Sequence, residues 1–159
     1  MSDKVGLDIL NDNTAVDLTT VRTAMPVLKP ATHSAVIKKV SLDENKNRTG
    51  YNLNLEYTLV NQAESDDDKI LNPGFVVFDL ISLVKTFKED GSVAYNPVEK
   101  LVAIIEAVTG EKTGTMTPKE MVLLIQSFVG RSIVFRTVID SKNPEFGTKT
   151  RIARYIKSA

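Results

Sequence analysis

Residues 130–159 read GRSIVFRTVIDSKNPEFGTKTRIARYIKSA. Two runs rich in β-branched and aromatic residues, 132–140 and 148–156, flank KNPEFG at 142–147, a string of turn formers. The pattern predicts a β-hairpin. Strict alternation puts Ile133, Phe135 and Ile139 on the inner face of its first strand and Arg136 on the outer one. On the second strand it puts Arg151, Ala153, Tyr155 and Lys157 outward and Ile152 and Ile156 inward, with Arg154 on the core side at the rim. From Arg131 onward there are seven Lys and Arg against two acids, a local balance of +5 in a chain whose total is zero. The hairpin is therefore expected to close a small barrel and to give it a basic face carrying an aromatic ring.

Upstream, residues 51–59 alternate cleanly, with Tyr51, Leu53, Leu55, Tyr57 and Leu59 on one side and Asn52, Asn54, Glu56 and Thr58 on the other. This is the signature of a half-buried strand. The polar segment 43–50, ending in Gly50, joins it to a strand that starts at His33, most simply as an antiparallel hairpin, since parallel pairing needs a longer crossover. His33 is expected at the surface. An acidic loop is expected over 61–69, solvated rather than cation-binding, because the ligand spacing of a calcium loop is missing. After Pro73-Gly74 the apolar run 75–84 predicts a third strand over about 75–80, buried on both faces for part of its length.

Two helices follow. Asn96-Pro97 places a capping residue before a proline at the first helical position. Val98, Leu101, Val102, Ile105 and Val108 then recur at spacings of three and four up to Gly110. Thr117-Pro118-Lys119-Glu120 is a capping box, followed by the stripe Met121, Leu124, Ile125 and Phe128, and Gly130 is expected to end the helix. Residues 1–30 have poor periodicity and are expected to form a partly ordered arm, leaving 31–159 as one domain. The order is arm, three strands, two helices, two strands, a mainly β (α+β) fold in which the last hairpin returns to pair with the first strands.

Composition narrows the function. The 159 residues contain no cysteine and one histidine, which excludes thiol chemistry, zinc ribbons and histidine clusters. No long apolar run predicts a signal peptide or a membrane span, so a soluble cytoplasmic protein is expected. Nucleotide-binding loops and hydrolase motifs are absent, and Thr109-Gly110-Glu111-Lys112-Thr113-Gly114 follows a helix instead of opening one. No enzymatic activity and no cofactor are expected. Residues 1–80 carry 8 basic and 12 acidic side chains, whereas residues 81–159 carry 12 and 8. A local positive field of this kind attracts phosphates even when net charge is zero.

In these segments the chain resembles the OB-fold single-stranded DNA-binding proteins of tailed bacteriophages. The resemblance covers residues 33–157. It is carried by Arg48-Thr49-Gly50-Tyr51 opening the alternating strand, by Gly74-Phe75-Val76-Val77-Phe78-Asp79-Leu80, by Thr117-Pro118-Lys119-Glu120 with Val129-Gly130-Arg131, and by Lys149-Thr150-Arg151-Ile152-Ala153-Arg154-Tyr155-Ile156. It implies a five-stranded OB-like Greek-key barrel with two helices between strands 3 and 4. It also implies a cofactor-free protein that coats single-stranded DNA in phage replication or recombination, with little sequence preference, in the cytoplasm of the host cell. Tyr51, Phe75 and Tyr155 are then the candidates for base stacking, and Arg48, Lys149, Arg151 and Lys157 for phosphate contact. The chain departs from many such proteins in lacking an acidic C-terminal tip, so recruitment of replication or recombination proteins would fall to another acidic segment such as 64–68. The competing expectation is a viral structural or assembly protein that oligomerises through the barrel and the N-terminal arm.

Overall fold

The computed structural model describes residues 15, 26–46, 48–111, 114–141 and 148–157. In chain order these form β1 (Ala31–Glu44), β2 (Tyr51–Leu59), the short pair β3 (Ala63–Glu64) and β4 (Ile70–Leu71), β5 (Val76–Ser82), a second short pair β6 (Thr86–Phe87) and β7 (Val93–Tyr95), α1 (Pro97–Thr109), α2 (Pro118–Gln126), β8 (Ser132–Asp140) and β9 (Lys149–Ile156). The expected arm and the expected turn at 142–147 lie outside the described residues, except for 15 and 26–30, where Val27 and Leu28 are buried.

The five longer strands make one antiparallel sheet in the order β5-β2-β1-β8-β9. The expected mainly β chain with two helices is what the fold shows. β1 organises it by serving two neighbours: Ala31–Val36 pair with β8 and Ala35–Glu44 with β2, with a shift of register between Ile37 and Lys39. Such a bulge bends and twists the strand. Edge strands of a flat five-stranded sheet would stand about 19 Å apart at the usual spacing. Here the Tyr155 hydroxyl of β9 donates to Asp79 Oδ2 of β5 at 2.6 Å. The sheet is therefore curled until its edges meet through side chains. Among the described residues no backbone ladder joins β5 to β9, so the curl is open along one seam.

The concave side is the core. β2 supplies Leu53, Leu55, Tyr57 and Leu59, β1 Ala35 and Ile37, β5 Val77 and Ile81, β8 Ile133 and Phe135, and β9 Ile152. Each fully buried aliphatic or aromatic side chain contributes about 1.5–3 kcal/mol. α1 covers this core with Leu101, Ile104, Ile105, Ala107 and Val108 and packs against β5, β8 and β9. Both helix starts form as the sequence indicates. Asn96 accepts from the Val98 N–H, and Thr117 and Glu120 make the reciprocal capping box. Gly110 closes α1 in a left-handed conformation, φ 76°, with its N–H on Glu106 O. α2 stops at Gln126, short of Gly130, because the chain turns to bring the Gly130 N–H onto Ile37 O at 2.8 Å and so starts β8.

Three local expectations are corrected. Residues 61–69 are not a simple solvated loop: β3 and β4 pair, Ser65 is buried and bridges to Leu28, and Lys29 forms ion pairs with Glu64 and Asp68. His33 is half-buried rather than fully at the surface. It packs on the Phe135 ring, its Nε2 is buried without a partner, and burial lowers its pKa from 6.5. Ile139, expected inward, is exposed near the end of β8. No helix among the described residues is long and apolar enough to cross a membrane.

Candidate nucleic-acid interface

The outer faces follow from the register. On β8 the outward residues are Val134, Arg136, Val138 and Asp140, opposite Ile156, Arg154, Arg151 and Lys149 of β9. Register shifts between Arg136 and Thr137, where Arg136 faces Arg154 but Thr137 faces Ile152. Ala153 is the extra residue. This bulge corrects the sequence reading of β9, because one inserted residue exchanges the two faces beyond it. Ile152 remains in the core. Arg154 is exposed instead of lying on the core side, and Tyr155 turns inward instead of standing beside Arg151.

Tyr155 is thus a pin of the fold. Its ring meets those of Tyr57 and Phe135 at centroid distances of 6.0 and 6.2 Å. Its hydroxyl is 2.7 Å from that of Tyr57 and 2.6 Å from Asp79 Oδ2. A carboxylate only accepts, so the Tyr155 proton goes to Asp79 and Tyr57 donates to Tyr155. Burial pushes the pKa of both hydroxyls well above 10.0.

The remaining sequence-predicted residues separate into two groups. Lys149 and Arg151 are exposed at the seam, with Arg151 Nε 3.7 Å from Asp140 Oδ2, and exposed Lys157 follows the end of β9. Arg48 and Tyr51 lie at the far end of β1, where Glu44 faces Tyr51, whereas Lys149 and Arg151 lie beyond the end marked by Ala31 and Thr137. Arg48 is 3.8 Å from Glu44, and Tyr51, 50 % exposed, borders an apolar hollow of about 610 Å³ with Leu42, Leu83, Val84 and Pro97. Phe75 is half-buried, packed against the core.

Between the edges of β5 and β9 runs a cleft of about 530 Å³. Phe78, Leu80 and Asn54 line one side, Lys149, Arg151 and Ile152 the other, and Lys100 of α1 reaches in from below beside Asp79. Phe78 and Leu80 are on the outer face of β5, opposite Glu56 and Asn54, and are 49 % and 56 % exposed. An exposed ring beside three cations, in a cleft open at the sheet edge, can stack a base and hold the flanking phosphates. Arg136 and Arg154 extend the positive surface along the same outer face. They stand directly opposite each other, a cross-strand arrangement that costs stability unless an anion comes between them.

Phe78, Lys100 and Arg154 were missed from sequence. Phe78 and Leu80 alternate with the buried Val77 and Ile81, a period-2 signal obscured by expecting part of the apolar run to be buried on both faces. Lys100 and Arg154 reach the site through packing and through the bulge, and the sequence carries no local mark of either. Among the described residues no group of three or more His, Cys, Asp or Glu could hold a metal ion. No protein-family model matches the chain, and no curated protein matches it.

Proposed function

We propose that this chain is a non-enzymatic single-stranded DNA-binding protein built on an OB-like barrel, of the kind that serves phage replication or recombination. The observation that carries the reading is the seam, where Phe78 faces Lys149 and Arg151 across a cleft with Lys100 at its base. The topology supports it. Taken as four consecutive long strands, β1, β2, β5 and β8 lie in the spatial order 4-1-2-3 of a Greek key, and β9 adds the fifth strand of a partly open barrel. The binding surface differs from the sequence expectation. Phe78 takes the stacking role given to Tyr155, and Arg136 and Arg154 join Lys149 and Arg151 as phosphate contacts, while Arg48 and Tyr51 stand apart.

Fluorescence anisotropy of a labelled, unstructured oligonucleotide tests this at several salt concentrations. Four phosphate contacts give a log–log salt slope of about −3 on a single strand. Phe78→Ala removes a stacking platform worth about 1–3 kcal/mol, a loss of roughly 5- to 150-fold, without unfolding a domain in which that ring is half exposed. Arg151→Glu weakens binding and flattens the slope. Absence of any anisotropy change at low salt and micromolar protein would refute the reading. The second reading, a self-assembling structural protein, is favoured by the exposed Phe78 and Leu80 on an edge strand. It predicts an oligomer in light scattering that Phe78→Asp dissociates and that DNA leaves unchanged.

A further inference from the structure

We propose that the seam holds a nucleobase bearing an exocyclic amine, with the Asp79 carboxylate accepting from that amine while the ring stacks on Phe78. This rests on the single-strand reading above and gives the cleft a base preference. Among the charged residues lining the cleft, Asp79 is the one to which that reading gives no part in binding. It occupies the core side of β5, opposite Leu55, and its side chain is only 10 % exposed, yet it lines the cleft beside Phe78 and Lys100. Because β5 has no ladder partner on that side, a ligand lying along the edge touches both faces of the strand.

The carboxylate has acceptor capacity to spare. Oδ2 takes the Tyr155 hydroxyl, and Oδ1 lies 3.6 Å from Lys100 Nζ, an ion-pair separation longer than a hydrogen bond. A carboxylate offers about four lone-pair sites. Both tyrosine protons of the chain Tyr57 to Tyr155 to Asp79 are already directed along it, so neither hydroxyl donates into the cleft. A negative group at the base of the cleft repels phosphate, which keeps the DNA backbone at the rim near Lys149 and Arg151 and leaves the interior to the uncharged base. Cytosine and adenine present an amine next to a ring acceptor, and guanine presents two adjacent donors. Thymine presents its one N–H between two carbonyl oxygens that a carboxylate repels.

The test compares oligo-dC and oligo-dT of about 15 nucleotides, within the range of site sizes for one such barrel, by anisotropy with the full chain near neutral pH. The expected result is dC tighter than dT by about tenfold, a discrimination in the range of one good base contact. Oligonucleotides of N4,N4-dimethylcytosine, which keep the ring and lose the donors, are expected to bind like dT. Asp79→Asn keeps an acceptor for Tyr155 and is expected to bring the dC to dT ratio to about one or below. Equal wild-type affinity for dC and dT, or dimethylcytosine binding as tightly as dC, overturns the proposal while leaving single-strand binding intact; neither measurement depends on a variant that folds. Asp79→Asn retaining the full preference also overturns it. If neither homopolymer binds, the single-strand reading fails, and this proposal fails with it.

Discussion

Replacing Tyr155 with phenylalanine removes one oxygen atom and keeps the ring, so it separates two roles for the residue. As a stacking platform, phenylalanine serves as well as tyrosine, and the substitution would change neither binding nor stability. As the pin seen in the structure, the hydroxyl closes the curled sheet, accepting from Tyr57 and donating to Asp79 at 2.6 Å. Its loss forfeits a hydrogen bond to a charged group, worth about 1.5–3 kcal/mol, and leaves the buried Tyr57 hydroxyl without its partner. The expected destabilisation is about 2–4 kcal/mol. For a chain of 159 residues this lowers the melting temperature by roughly 5–15 °C. Differential scanning calorimetry or a urea melt of both proteins measures it. Tyr57→Phe should cost less, about 1 kcal/mol, because Tyr155 keeps its bond to Asp79. The double variant should be no less stable than Tyr155→Phe alone, since it removes the orphaned hydroxyl. A Tyr155→Phe protein that melts within 2 °C of wild type, or single-variant losses that simply add, would refute the pin.

The same pair makes stability sensitive to alkali. The folded-state pKa values of Tyr57 and Tyr155 lie above the ordinary 10.0 because burial disfavours the phenolate. Their contribution is therefore complete below pH 10 and is lost as pH rises toward the folded values. Melts between pH 8 and 11 should be flat and then fall, and Tyr57→Phe/Tyr155→Phe should fall less; identical profiles would argue against it. His33 has the opposite sign. Its folded pKa is depressed below 6.5 by burial, so its contribution is complete above pH 6.5 and is lost as pH falls, and His33→Phe should flatten the acid limb of the melting profile. Arg154→Gln removes the cross-strand repulsion with Arg136 and should raise stability by a few tenths of a kcal/mol at low salt while weakening oligonucleotide binding. A variant that loses stability and keeps affinity would place Arg154 outside the interface.

Much of the fold could be read from properties that a strand or helix carries alone. β2 runs from Tyr51 to Leu59 with the faces its alternation gives, and both helices begin at the caps written into Asn96-Pro97 and Thr117-Pro118-Lys119-Glu120. Features set by a pairing partner could not be read. The bulge at Ala153 exists only because Arg154 must face Arg136 while Ile152 faces Thr137, and nothing in 149–156 announces which residue is left over. One residue of slippage was enough to exchange Arg154 and Tyr155. The short hairpins are equally dependent on context: β3 and β4 form over an acidic stretch because Ser65 is buried against Leu28 and Lys29 neutralises Glu64 and Asp68.

The seam was hidden for a deeper reason, because it belongs to no single segment. Its aromatic wall comes from β5, its cations from β9 and α1, and the hydrogen bond that sets its width joins residues 76 positions apart. The charge of the last thirty residues pointed to one side of it. The other side had a local sign, an aspartate on the core parity of the run Val76–Ser82, between Val77 and Ile81. Burying a carboxylate costs several kcal/mol unless it is paired and hydrogen-bonded. A lone acid on the inward face of an apolar strand therefore demands a donor and a cation from elsewhere in the chain. Tyr155 and Lys100 meet that demand, and by meeting it they hold β9 and α1 against β5 and form the cleft.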